Sequence, residues 1–166
     1  STNNTKGLVE ILNEQNYHTA FFHGGNKGTM NFDGFASYAG FNEYYGRDEY
    51  DNDKDYDGHW GIYDEPFLQY FAKKLNSFTQ PFFAFEFTLS SHYPYNLPAH
   101  HQDRFPEGTL KIHRVVRYTD YSLKKFFQTA SKMEWYNNTI FVIAADHPAQ
   151  SVIPNTTNDF ENHEIS

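Results

Sequence analysis

The stretch from Thr139 to Gln150, TIFVIAADHPAQ, constrains this chain more than any other. It is a short apolar run, rich in β-branched residues, that stops at Asp146-His147-Pro148, and such a pattern predicts a buried strand. Open α/β sheets place their sites at the carboxyl ends of their strands, so an acid and an imidazole delivered there are candidate ligands. An Asp-His pair in an ordinary solvated turn would look the same in isolation. Support for a site must come from what the rest of the chain brings to that end.

A length of 166 residues suits one domain or a large piece of one. Aromatic residues make up 19% of the chain, above the usual share, and no segment has the composition of a disordered region. The net charge is −8 and the Lys and Arg are scattered, so the electrostatic footprint of a nucleic-acid or anionic-bilayer binder is missing. Nucleic acid is not an expected partner. Cysteine is absent, which excludes a disulfide framework and a thiolate metal site. No signal peptide, transmembrane run or lipidation motif is visible. The chain starts almost directly on a helical pattern and ends in polar NDFENHEIS, which predicts a segment of something longer.

Leu8, Ile11 and Leu12 recur at helical spacing, and Asn13 to Asn16 ends that helix. His18 to His23, HTAFFH, follows as a strand and runs into Gly24-Gly25-Asn26-Lys27-Gly28. Such a turn lets backbone approach a ligand, but its spacing fits neither the Walker nor the dinucleotide fingerprint. Asn31 to Gly40 reads as a brief helix, and Phe41 to Tyr45 as a short extended piece. Arg47 to His59 is dense in aspartate. A calcium loop read from Asp51 puts Tyr56 where its glycine belongs, and one read from Asp53 puts Asp64 where its glutamate belongs. A solvated acidic loop is the expectation.

Asp64 is placed to cap a helix with Glu65 and Pro66 in its first turn, and Phe67, Tyr70, Phe71, Leu75 and Phe78 keep one apolar face. Pro81 to Leu89, PFFAFEFTL, then reads as a strand covered on both faces in a parallel sheet, with Glu86 out of keeping. It ends in Ser90-Ser91-His92-Tyr93. Ala99 to Glu107 reads as a loop that leaves His100 and His101 on the surface. Leu110 to Met133 carries the helical stripe Val115, Tyr118, Ser122, Phe126, Ala130 and Met133. Alternating helices and apolar strands predict α/β architecture with a mainly parallel sheet flanked by helices. Three strands would then end in turns bearing His23, His92 and Asp146-His147 on one lip of the sheet. Carboxylate oxygen with imidazole nitrogen suits a borderline divalent ion such as zinc or manganese, although two ligands rarely hold an ion alone.

Four segments, FFHGGNKGTMNFDGF, FEFTLSSHYPYNLP, VRYTDYSLKKFF and NTIFVIAADHPAQS, resemble in order and separation the catalytic domain of the lipoteichoic acid synthase-like branch of the sulfatase/alkaline phosphatase superfamily. The similarity spans most of the chain, so the resemblance implies that residues 1–166 are part of one sulfatase-like catalytic domain, present as a fragment. It implies a phosphoglycerol or related phospho-group transferase with a threonine nucleophile on a divalent metal. Manganese is the first choice, with zinc or magnesium as alternatives. Asp146 and His147 match two of the metal ligands, and His92 matches the histidine that contacts the phosphate or substrate head group.

The resemblance further implies a phospholipid or glycan head-group substrate and an extracytoplasmic catalytic domain, periplasmic or on the outer face of the cytoplasmic membrane. The parent would be a multi-pass membrane protein. The branch's glutamate and nucleophilic threonine fall upstream of Ser1, so no catalytic nucleophile is expected within these residues and the isolated chain is expected to be inactive. Gly25, Met30 and Phe32 stand where lipoteichoic acid enzymes carry an aspartate, a tryptophan and an arginine for glycerol phosphate, which leaves the head group open. A sulfatase or phosphatase-type ester hydrolase is the alternative. From another class, a non-catalytic binding module would use the aromatic excess as its surface.

Overall fold

The computed structural model describes residues 6–147. Its elements run α1 (Leu8–Glu14), β1 (His18–His23), α2 (Phe32–Ala39), β2 (Glu43–Tyr45), α3 (Arg47–Tyr50), α4 (Asp64–Leu75), β3 (Phe82–Phe87) and α5 (Ile112–Ala130), with short 3-10 turns between them. The three strands form one parallel sheet in the order β2-β1-β3. β1 is central and pairs from His18↔Phe82 to His23↔Phe87 on one side and from Ala20↔Glu43 to Phe22↔Tyr45 on the other. The expected α/β layering is therefore present.

Alternation along β1 sends successive side chains to opposite faces and builds two layers of core. Ala20 and Phe22, with Tyr45, Phe82 and Ala84, pack against Phe67, Leu68, Phe71, Ala72 and Leu75 of α4 and Phe126 and Ala130 of α5. On the other face Phe21 is ringed by Phe32, Phe35, Phe41, Tyr44 and Phe85, with centroids 5.0–6.2 Å away. Much of the aromatic excess is thus core, although Tyr38 and Tyr93 stay exposed. Helix α5 buries Val115, Tyr118, Ser122, Phe126 and Ala130, and Met133 of the expected stripe lies just past its end, half-buried.

Two expectations are corrected, and Glu86 finds its place. Asp64 is the first residue of α4 and its side chain does not cap that helix; it reaches to the end of β3, as described below. Among the described residues β3 is an edge strand, with Phe85 41% exposed, so it is covered less than its composition suggests. Glu86 lies opposite Phe22 on the α4 side, and burial followed by the charge of Asp64 pushes its carboxyl well above the ordinary range.

The largest correction concerns the Thr139–Gln150 run, whose last three residues lie outside those described. Residues 139–147 do not form a strand. Ile140, Val142 and Ile143 are 91%, 85% and 67% exposed, and of the apolar side chains only Phe141 packs, against Phe127, Tyr136 and Trp135. An extended apolar segment becomes a strand only where another strand meets its N–H and C=O groups, and among the described residues none pairs with this one.

Candidate functional site

His23 and Phe87 close β1 and β3 in register, which brings the turns that follow them to the same lip. His23 is 1% exposed, with its ring 4.6 Å from that of Phe32 and 6.1 Å from that of Phe87. Its Nδ1 lies 3.3 Å from the Tyr44 hydroxyl, and its Nε2 has no hydrogen-bond partner among the described residues. Burial first, and the neighbouring His92 second, lower its pKa from 6.5 to about 4 against the opposing pull of Asp33. His23 is therefore neutral near pH 7.

His92 sits in the turn after β3. Its Nδ1 lies 3.0 Å from the Leu89 carbonyl, which can only accept, so Nδ1 carries the proton and the neutral ring keeps its lone pair on Nε2. The ring rests 5.0 Å from Trp60 and 6.1 Å from Phe87. Trp60 donates from Nε1 to the Tyr93 carbonyl at 2.6 Å, which ties the acidic loop to the His92 turn. In that loop Asp57 accepts from the amides of His59, Trp60 and Gly61 at 2.8, 2.8 and 3.1 Å. The aspartate that looked merely solvated thus shapes the loop that holds Trp60.

A buried carboxylate fixes the turn from below. Asp64 accepts from the Leu89 and Ser90 amides at 2.8 and 2.9 Å and from the Thr119 hydroxyl at 2.7 Å, and its own amide donates to Ser90 Oγ at 2.9 Å. Ser91 Oγ lies 3.1 Å from Thr119 Oγ1. The paired serines of the TLSSHYPY segment are structural ties, and so is the threonine of VRYTDY. His92 is the imidazole that this turn presents.

The glycine-rich turn after β1 meets protein. Gly25 bridges Gly61, where an added side chain would come 2.5 Å from the Gly24 carbonyl oxygen. Phe32 packs between Phe21 and His23, and Met30 is 69% exposed. Lys27, in the same turn, is paired with Glu49. An open depression of about 470 Å³ lined by Glu10, Asn13, Glu14, Tyr38, Ala39 and Gly40 lies by α1, near the amino ends of the strands and away from these histidines.

The structure brings His23 and His92 together, as expected from parallel pairing. Asp146 and His147 lie side by side, with side chains 52% and 70% exposed, Oδ2 3.5 Å from Nε2, and Asp146 Oδ1 accepting from the His147 amide at 2.9 Å. The strand expected to carry them to the lip is not formed. Another group converges that sequence reasoning missed: donor atoms of Glu65, His100 and His101 lie within 4.8 Å of one another. His101, expected on the surface, is 4% exposed, because its ring packs against Phe105, Tyr118 and Tyr121. The dipeptide His100-His101 was its only signal.

The sulfatase family model matches residues 1–164. Among curated relatives, the lipoteichoic acid synthase-like protein YvgJ of Bacillus subtilis (strain 168) is 30% identical over 145 residues, which cover 84% of this chain and 24% of that protein. Lipoteichoic acid synthase 1 of the same organism is 29% identical over 151 residues, covering 87% of this chain and 24% of the relative. The chain thus spans about a quarter of the length of these relatives. Among solved structures, an alkaline phosphatase superfamily protein from Vibrio parahaemolyticus superposes with a TM-score of 0.68 at 30% identity, over 77% of this chain and 32% of that one. The lipoteichoic acid synthase LtaP of Listeria monocytogenes superposes with a TM-score of 0.63 at 25% identity, over 75% and 32%. The parallel sheet, the order of the matched segments and these likenesses agree: the chain belongs to the sulfatase family, on the lipoteichoic acid synthase-like branch of the sulfatase/alkaline phosphatase superfamily.

Proposed function

We propose that residues 1–166 are part of one sulfatase-like catalytic domain of a metal-dependent phosphoglycerol or related phospho-group transferase, acting outside the cytoplasm on phospholipid or glycan head groups. The observation that carries this reading is the His23–His92 pair at the carboxyl lip of a parallel sheet, within a chain similar to lipoteichoic acid synthases. Among the described residues no helix is long and apolar enough to cross a membrane.

His92 is the proposed head-group contact. Protonated, its Nε2–H donates to a phosphoryl oxygen; neutral, the same nitrogen accepts the proton of an incoming hydroxyl. The Leu89 carbonyl on Nδ1 holds the ring in position for either role. His23 stays neutral beside it, so the two rings do not compete for positive charge. Trp60 and Phe87 wall the His92 ring and limit water around it.

Asp146 and His147 are the proposed metal ligands. Their donors lie 3.5 Å apart, and two ligands of one tetrahedral ion at ordinary bond lengths are separated by about 3.3 Å. Oxygen with imidazole nitrogen fits manganese or zinc and suits magnesium less. Such an ion, when bound, favours the alkoxide of a threonine nucleophile and polarises the phosphoryl oxygen. That threonine, and the remaining ligands, are assigned to parts of the full protein outside these residues.

The full-length protein should transfer phosphoglycerol from phosphatidylglycerol vesicles to an acceptor hydroxyl with manganese, leaving diacylglycerol behind, and His92→Ala and Asp146→Ala should each reduce turnover by about a hundredfold or more. Unchanged turnover in either variant removes that residue from the site. Gly25, Met30 and Phe32, which offer no polar side chain to a head group, favour a second reading as an ester hydrolase. Hydrolysis of a simple phosphodiester or sulfate ester without transfer from lipid would select that reading.

A further inference from the structure

We propose that Glu65, His100 and His101 form a second divalent-cation site, suited to zinc, which fastens the connection between β3 and α5 onto the start of α4. Two imidazoles and one carboxylate are a donor set that zinc accepts, with a fourth position left for water. A donor atom of each residue already lies within 4.8 Å of the other two, and His101 Nε2 is 2.7 Å from Glu65 Oε2. His100 and His101 have ring centroids 4.2 Å apart. His100 is exposed and can close onto an ion by a change of rotamer.

His101 is fixed for this role. It is 4% exposed and walled by Phe105, Tyr118 and Tyr121, and its Nε2 already faces the Glu65 carboxylate. A cation taking Nε2 and the carboxylate oxygen would stand in place of the proton they share, so these donors need little rearrangement to close on it. Glu65 is itself fixed: its amide donates to the Tyr118 hydroxyl at 3.2 Å, and its side chain is 23% exposed.

The location gives the site a role. Between β3 and α5 the only helical turn among residues 88–111 is Ala99–His101, so this long connection is held by few backbone bonds. A cation bridging His100 and His101 to Glu65 ties it down one residue from Asp64, whose carboxylate anchors the His92 turn. Binding to the folded chain raises its stability and orders this connection. The residues involved are distinct from Asp146 and His147, so this proposal stands or falls apart from the proposed function.

The test uses the 166-residue chain carrying Asp146→Ala and His147→Ala, stripped with chelator and titrated with zinc chloride by calorimetry. One equivalent should bind, raise Tm and slow proteolysis between residues 91 and 111. Adding His100→Ala, an exposed position that leaves the fold intact by circular dichroism, should weaken binding at least tenfold and abolish the protection. Glu65→Gln should weaken it similarly. Failure of the doubly substituted chain to bind zinc, or binding that His100→Ala leaves unchanged, overturns the proposal.

Discussion

PFFAFEFTL and TIFVIAA are almost interchangeable as sequence, yet the first contains β3 and the second contains no strand. β3 lies along β1 over six paired residues, and Phe82 and Ala84 seal against the helical layer. The later run has no partner strand among the described residues and leaves Ile140 and Val142 in solvent. Apolar, β-branched composition is thus permissive for a strand, and the neighbouring ladder decides. The two ends differ in the same way. The His92 turn hangs from a buried carboxylate and a tryptophan, whereas the Asp146-His147 turn is exposed.

The comparison breaks most visibly at the centre of the sheet. Phe22→Ala removes a fully buried ring 4.6 Å from that of Tyr45 and 4.7 Å from that of Phe71, and should cost about 3–5 kcal/mol in urea unfolding. A loss under about 1 kcal/mol would mean that β1 is not the spine described here.

Next comes pH. An unfolded histidine takes a proton below about 6.5, whereas native His23 resists until about 4, so its contribution is intact above 6.5 and drains away as pH falls toward 4. The loss amounts to about 3 kcal/mol across that window, and His23→Gln should flatten the corresponding part of the stability profile. Glu86, with its carboxyl raised, has the opposite slope above the ordinary glutamate range, so Glu86→Gln should steepen the acid-side decline near its start. Identical profiles for all three proteins would contradict both assignments.

Asp64→Ala strands the Leu89 and Ser90 amides and the Thr119 hydroxyl, and about 2 kcal/mol should be lost. Hydrogen exchange in residues 89–92 should rise with it; unaltered exchange there would show that another contact holds the turn. The smallest effect is expected at the unpaired run. Ile140→Ser, at a side chain 91% exposed, should change the urea midpoint by less than about 0.5 kcal/mol equivalent. A cost like that of Phe22→Ala would mean that residues 139–145 pack in solution as a strand.

Helical and strand periodicity made α1, β1, α4, β3 and α5 legible, because each pattern matches a local repeat of the backbone. The lip bearing His23 and His92 was legible too, since parallel strands end on one side. Asp64 was not: a carboxylate at a helix start reads as a cap, and the amides it serves are 25 and 26 residues away. His101 was hidden for the same reason, as the carboxylate that meets it is 36 residues earlier and its aromatic cover comes partly from α5. Asp57 reads as one acid among many until its three amide contacts are seen.

The order of residues by itself determined the α/β layering, the family and the pairing of two histidines at the ends of β1 and β3, because these follow from local periodicity and from motifs kept in order. Only the tertiary structure decided which apolar run becomes a strand, which carboxylate is buried and which histidine leaves the surface. Those outcomes depend on what a distant segment offers: a free backbone edge, a pair of amides or an aromatic wall. No local pattern encodes such a partner.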